Sequence, residues 1–122
     1  MAALAASLAI AGAAQAQTGE DKFTANCSAC HQPDGKGIEG AFPALAGDAF
    51  VKGDPTPAIG VVLHGRGGMP AFETDLDDAT IAAALTYVRG AWGNGQGPVT
   101  EAQVNAVRKG PKPDPNRPLQ AH

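Results

Sequence analysis

Cys27-Ser28-Ala29-Cys30-His31 decides how the rest of this chain is read. Two thiols stand three residues apart and an imidazole follows at once, the C-x-x-C-H pattern of covalent haem attachment. Each thiol can add to one vinyl group of a haem, giving two thioether bonds, and the adjacent histidine can reach the iron. The chain has two cysteines, so no other thiol competes for these roles. A thioredoxin-like dithiol would sit after a strand in a βαβ pattern, and no such strand precedes Cys27. A four-ligand zinc site needs further Cys or His nearby, whereas His64 and His122 are distant in sequence. A disulfide across two intervening residues closes too short a loop to add much stability.

Working outward, the next informative stretch is Gly65-Arg66-Gly67-Gly68-Met69-Pro70. Met69 is the one methionine besides Met1. A lone methionine often fills a core gap, but this one lies in a glycine-rich loop ended by proline. Glycines allow close backbone approach to a bulky planar ligand, and Pro70 sets the local direction. A thioether is a soft, neutral ligand suited to haem iron. The competing sixth ligand is His64, but Met69 is favoured and His64 reads better as the end of a short helix, where positive charge suits the last carbonyls.

The CSACH motif and the GGMP loop together resemble the class I monohaem cytochromes c of bacteria, over residues from about Thr18 to Trp92. The resemblance implies an all-α fold of three to five short helices wrapped around one covalently bound haem c. It implies that Cys27 and Cys30 bind the haem and that His31 and Met69 are its axial iron ligands. It also implies a proline carbonyl turned toward the proximal imidazole, for which Pro43 is placed, although a plain turn residue reads the same.

Residues 1–16 read as a signal peptide: an apolar Ala/Leu run from Leu4 to Ala14 ends in the A-x-A site Ala14-Gln15-Ala16, with no Lys or Arg before it. The run is shorter than the roughly 20 residues that span a bilayer. Residues 17–109 then form the haem domain, with a core of about 18–92 and an extension helix over about 100–108. Residues 110–122, with four prolines, read as a disordered Pro-rich tail.

Within the core, Thr18 predicts an N-cap for a helix over 19–29, with Glu20 and Asp21 in its first turn. Phe23 and Cys27 share a face, so Phe23 points at the haem or at the last core helix. Residues 31–54 read as loop-rich. Pro33-Asp34-Gly35-Lys36-Gly37 has turn chemistry but neither the ending nor the context of a phosphate loop. Phe42, Leu45 and Phe50 are the apolar anchors there and suit the proximal wall of a haem pocket. Thr56 and Pro57 read as the cap and first residue of a short helix carrying Ile59, Val62 and Leu63 and ending at His64-Gly65. Arg66 suits a haem propionate or plain solvent exposure.

Asp77 predicts the cap of the next helix, with Leu76 and Ile81 as a hydrophobic staple. Ile81, Leu85, Val88 and Trp92 recur at helical spacing. Ala82, Ala83 and Ala84 allow the first helix to cross close by, near Phe23. Tyr87 and Trp92 read as packing aromatics. Gly93-Asn94-Gly95 marks a loop. Thr100 and Gln103 then fit a capping box, with Val99 and Val104 as a second staple. The Ala91-Trp92-Gly93-Asn94 run and the following Gly97-Pro98-Val99-Thr100 resemble haem c domains in cytochrome subunits of membrane-linked periplasmic dehydrogenases.

Net charge is −3, unevenly spread. Eleven acidic and five basic residues precede Arg108, whereas the stretch from Arg108 on carries four basic and one acidic. That balance excludes nucleic acid as a partner and leaves room for electrostatic steering toward a protein.

These features predict a periplasmic electron carrier that is not itself an enzyme. It would shuttle single electrons between a dehydrogenase or oxidoreductase and a respiratory acceptor. Its partners would be transient redox proteins (a dehydrogenase, an oxidase or another cytochrome), with association to a membrane-bound complex open. The alternative is a haem c enzyme of peroxidase-like or sulfur-oxidising kind, or a ligand-binding haem protein. Either needs an open or displaceable sixth position, and the chain offers no third cysteine and no paired acid and base near the motif.

Overall fold

The structure is a computed structural model and describes residues 9–114 and residue 116. Its helices are α1 (Ala9–Asn26), α2 (Ser28–His31), α3 (Ala49–Lys52), α4 (Pro55–His64), α5 (Asp78–Gly90) and α6 (Glu101–Lys109). The described residues form no strand beyond two isolated bridges, Ile38 with Phe42 and Arg66 with Met69. The all-α expectation holds. The count exceeds three to five because α2 and α3 are single turns of four residues.

Helix α1 starts earlier than expected. Thr18 does not cap it but lies inside it, because the Ala-rich run before Thr18 is itself strongly helix-favouring. Of the expected signal peptide, residues 1–8 lie outside the described residues, and the backbone of 9–16 continues into α1. No described helix is long and apolar enough to cross a membrane.

The first helix crosses α5 where both present small residues. A Cβ added at Gly19 would lie 2.7 Å from the carbonyl oxygen of Ala83 and 3.0 Å from Cβ of Tyr87, so only hydrogen fits. One turn along, Phe23 is buried against α5 and the chain beyond it. Its ring lies 5.5 Å from Tyr87 and 5.2 Å from Trp92, in tilted and edge-on arrangements. Aromatic pairs favour this geometry, and burying a Phe side chain stabilises the fold by roughly 1.5–3 kcal/mol. Of the two orientations open to Phe23, the structure takes the one toward α5.

Trp92 is not on the α5 stripe. The helix stops at Gly90, and Trp92 has φ 52°, in the left-handed region. That turn lays its indole over Gly35, where an added Cβ would lie 2.5 Å from the ring. Asn94, next in the loop, is buried and ties three segments together. Its side chain accepts from Gly47 N at 2.7 Å and donates to the carbonyls of Leu45 at 3.2 Å and Val88 at 2.8 Å.

Helix α4 begins two residues earlier than expected, at Pro55. Asp54, not Thr56, is the N-cap; its carboxylate accepts from Thr56 N at 2.9 Å and Pro55 takes the first helical position. An aspartate cap followed directly by proline outcompetes the later Thr-Pro pair. Within the loop-rich stretch 31–54, Asp48 caps the single turn α3 by accepting from Val51 N.

The caps read at α5 and α6 are observed. Asp77 accepts from Thr80 N at 2.8 Å, and Thr100 with Gln103 forms a reciprocal capping box. Val99 and Val104 are both buried in one cluster with Ile59, Leu63, Ile81 and Leu85, and Leu76 packs against it. Thus α6 closes the core over α4 and α5. Beyond it, Pro111–Asp114 is non-helical and Lys112 pairs with Glu73 at 3.0 Å. Apart from residue 116, the remainder of the expected disordered tail lies outside the described residues.

Candidate functional site

The C-x-x-C-H stretch is built on one helical turn. The amide of His31 donates to the carbonyl of Cys27 at 3.0 Å, and that of Cys30 donates to the same oxygen at 3.3 Å. Positions i, i+3 and i+4 share a helix face, so this turn carries both thiols and the imidazole on one side. Gln32 ends the turn with φ 65°, a left-handed conformation that non-glycine residues seldom adopt. Burial and the neighbouring Cys30 push the Cys27 thiol up to about 11. The two thiols are not joined to each other.

His31 is buried, and its Nδ1 lies 2.9 Å from the carbonyl oxygen of Pro43. A carbonyl only accepts, so Nδ1 carries the proton, and in the neutral ring Nε2 keeps its lone pair. The turn that presents this carbonyl is local. Ile38 and Phe42 exchange two backbone hydrogen bonds, at 2.9 and 2.8 Å, and Gly37, with φ 63°, packs so closely that a Cβ would lie 2.3 Å from the oxygen of Phe42. Pro43 therefore does what the resemblance implied, and is more than a turn residue.

Met69 closes a tight turn of its own. Arg66 N donates to Met69 O at 3.2 Å and Met69 N to Arg66 O at 2.9 Å, with Gly67 and Gly68 between them and Gly67 at φ 55°. Gly65 caps α4 at φ 75°, and a Cβ there would lie 2.7 Å from the carbonyl oxygen of Met69. The glycine-rich stretch thus serves a close backbone fold beside the ligand candidate.

These segments meet around one cleft. It holds about 830 Å³ of space free of protein atoms, part of it open to solvent. Cys27, His31 and Met69 all line it, and an adjoining pocket adds Cys30 to the same three. The remaining walls are largely apolar, among them Leu45, Val62, Leu85 and Val88. Leu45 and Phe50 take the expected lining role, while Phe42 lines the adjoining pocket and is 38 % exposed. Arg66 lines the cleft with its guanidinium 5.1 Å from the centre of the Phe50 ring, a cation–π distance.

His64 is not among the side chains lining either pocket. It ends α4, with Nδ1 3.9 Å from the carboxylate of Glu73. Glu73 lies below the usual carboxylate range, first through its bond to Lys112 and further through His64 and Arg108. Arg108 likewise holds Asp78 below its ordinary value, with help from Asn105.

The donor set fits a haem c. Two thiols on one helix face suit two vinyl groups. An imidazole with a free Nε2 and a thioether suit iron, and a largely apolar cleft suits a porphyrin. A hard cation would instead call for carboxylate and carbonyl oxygens.

Comparison with known proteins agrees with the geometry. The family model described as cytochrome c oxidase, cbb3-type, subunit III matches residues 14–88. The cytochrome c subunit of gluconate 2-dehydrogenase from Pantoea cypripedii is 36% identical over 107 residues, covering 76% of this chain and 24% of that protein. A cytochrome c-552 from Thermus thermophilus is 36% identical over 126 residues, covering 86% of this chain and 84% of that one. Among solved structures, the c-type cytochrome XoxG from Methylobacterium extorquens AM1 superposes with a TM-score of 0.55 at 26% identity, covering 82% of this chain and 59% of that one. The chain thus spans about a quarter of the length of the dehydrogenase subunit but most of cytochrome c-552.

Proposed function

The chain belongs to the c-type cytochrome family described as cytochrome c oxidase, cbb3-type, subunit III, and from that premise we propose that it is a one-electron carrier with His31 and Met69 as axial ligands. The observation that carries this reading is the shared cleft: His31, with Nε2 left free by Pro43, and the thioether of Met69 line the same cavity as Cys27.

Cys27 and Cys30 would hold the haem covalently, and its iron would supply the ability to take up and give back one electron. The rest is the work of the protein. Pro43 fixes the tautomer and orientation of the His31 ring. The Arg66–Met69 turn fixes the backbone that presents the thioether. The apolar walls keep water and other ligands from the iron, which favours carrier chemistry over substrate binding.

The expected signal peptide, residues 1–16, directs the chain to the periplasm in this reading, and residues 17–109 are the functional domain. The similarity to the cytochrome c subunit of gluconate 2-dehydrogenase supports a dehydrogenase as electron donor. An oxidase or another cytochrome is then the acceptor, met transiently.

The test is spectroscopic. Purified protein should show reduced haem c bands that acid-acetone does not strip, together with a weak far-red absorbance from sulfur on ferric iron. Met69→Ala should abolish the far-red band and open the iron to carbon monoxide. A wild-type ferric form that is high-spin, or a reduced form that binds carbon monoxide readily, would overturn the carrier reading in favour of a haem enzyme or ligand-binding protein.

A further inference from the structure

The segment between the Met69 turn and α5 has no helix of its own, yet it bears on where Met69 sits. Its first half hangs from α4: Phe72 N donates to Val62 O at 3.0 Å and Glu73 N to Leu63 O at 3.1 Å. Its second half is held from outside the core, by α6. The Arg108 guanidinium donates to three groups at once. Nε reaches Asp78 Oδ1 at 2.7 Å, one terminal nitrogen reaches the carbonyl of Glu73, and the other reaches the carbonyl of Leu76 at 2.8 Å. Asn105, one turn earlier on α6, donates to the second oxygen of Asp78 at 2.8 Å. Leu76, whose carbonyl is held, itself lines the cleft.

We infer that Arg108 is a positioning residue for the sixth ligand: α6 is a strap whose guanidinium pins the 73–78 segment and thereby limits how far the Met69 turn can swing from the cleft. The inference rests on Met69 being that ligand. The argument is geometric. Two carbonyls and a carboxylate that face one guanidinium must move together, and the planar fork satisfies all three where an ammonium cannot. With the far end of the segment pinned, a swing of Met69 has to be absorbed within Pro70–Phe72.

The experiment is competition by imidazole for ferric iron in the holoprotein, read by loss of the far-red sulfur band. Imidazole binds the state in which the thioether has left, so its apparent affinity rises in proportion to that state's population. R108A should bind imidazole on the order of tenfold more tightly than wild type. R108K should leave most of that gain in place. Y87L, in the aromatic cluster with Phe23 and Trp92, serves as the control for general destabilisation and should leave the affinity close to wild type. Should R108A fail to fold, D78N weakens the same contact while keeping the Asp77 cap, and should shift the affinity the same way by less.

Equal affinities in wild type and R108A, an equal rise in Y87L, or full rescue by R108K would each overturn the inference. In those cases the band persists in wild type and the thioether reading stands. If wild type shows no far-red band, the thioether reading falls and this inference with it.

Discussion

His31 and Pro43, twelve residues apart in the chain, are joined by a 2.9 Å hydrogen bond from the imidazole Nδ1 to a main-chain carbonyl. Because the acceptor is backbone, replacing Pro43 leaves it in place. The vulnerable residue is Gly37, whose φ of 63° and closeness to the oxygens of Phe42 and Pro43 leave no room for a Cβ. Gly37→Ala should cost about 1–3 kcal/mol in stability. It should also raise the reduction potential, since a displaced carbonyl makes the imidazole a weaker donor and ferric iron less favoured. Redox titration beside denaturant unfolding checks both. A potential equal to wild type would mean that the contact orients nothing that the iron feels.

His64 supplies a second prediction, because it competes with Met69 on sequence yet lies outside both pockets that Met69 lines. It ends α4 beside Glu73. His64→Ala should leave the low-spin haem spectrum and the far-red band unchanged, while removing a side chain only 11 % exposed should cost about 1–2 kcal/mol in stability. Loss of the low-spin spectrum would restore the bis-histidine reading.

Which parts of this molecule were legible in sequence follows from how local their physics is. The Asp77 cap and the Thr100–Gln103 capping box each depend on residues within four positions of one another, and each is observed. Competition between nearby signals caused the shifted starts, with Asp54-Pro55 winning over Thr56-Pro57 and the Ala-rich run overriding Thr18. What sequence could not show were the long-range polar ties. Arg89, Asn94 and Arg108 read as ordinary polar residues, yet each bonds main-chain carbonyls far along the chain. Trp92 fitted the α5 spacing by coincidence, since periodicity does not report that the helix ends at Gly90.

The α1–α5 crossing gives a third prediction. Gly19 faces the Ala83 carbonyl at a distance that no side chain tolerates, and the obstruction is backbone, which cannot rotate away. Gly19→Val should destabilise the fold by about 1–3 kcal/mol through overpacking. The visible spectrum of the folded fraction should not change, because the crossing is not among the cleft-lining positions. A neutral effect on the denaturation midpoint would mean that the helices separate freely at this point.

Acid sensitivity follows from Asp78. Its carboxyl lies below the ordinary 3.8, first because Arg108 bonds it and then because Asn105 does. A depressed folded pKa contributes stability that is present above the unfolded value and disappears as pH falls through the folded one. The folded protein should therefore lose stability as pH drops below about 4. Asp78→Asn should lower stability at neutral pH and flatten that acid limb. Denaturant unfolding between neutral and acid pH checks the slope; an unchanged acid limb in the variant would place the linkage elsewhere.

Arg89 is the strongest test of the buried ties. It is 7 % exposed, and its guanidinium donates to Val51 O at 2.8 Å, Gly53 O at 2.7 Å and Gly97 O at 3.2 Å. It thereby fastens the end of α3 and the loop before α6 to the last turn of α5. Arg89→Met keeps an apolar stem of similar reach but leaves three carbonyls without this donor, and each unsatisfied buried group costs about 1–3 kcal/mol. Water reaching the Gly53 and Gly97 carbonyls offsets part of that, so a loss of about 3 kcal/mol is expected. Arg89→Lys should recover some of it, because an ammonium can bridge Val51 and Gly53 but cannot also extend the fork to Gly97. A methionine variant within about 0.5 kcal/mol of wild type would show that these carbonyls find water without the guanidinium.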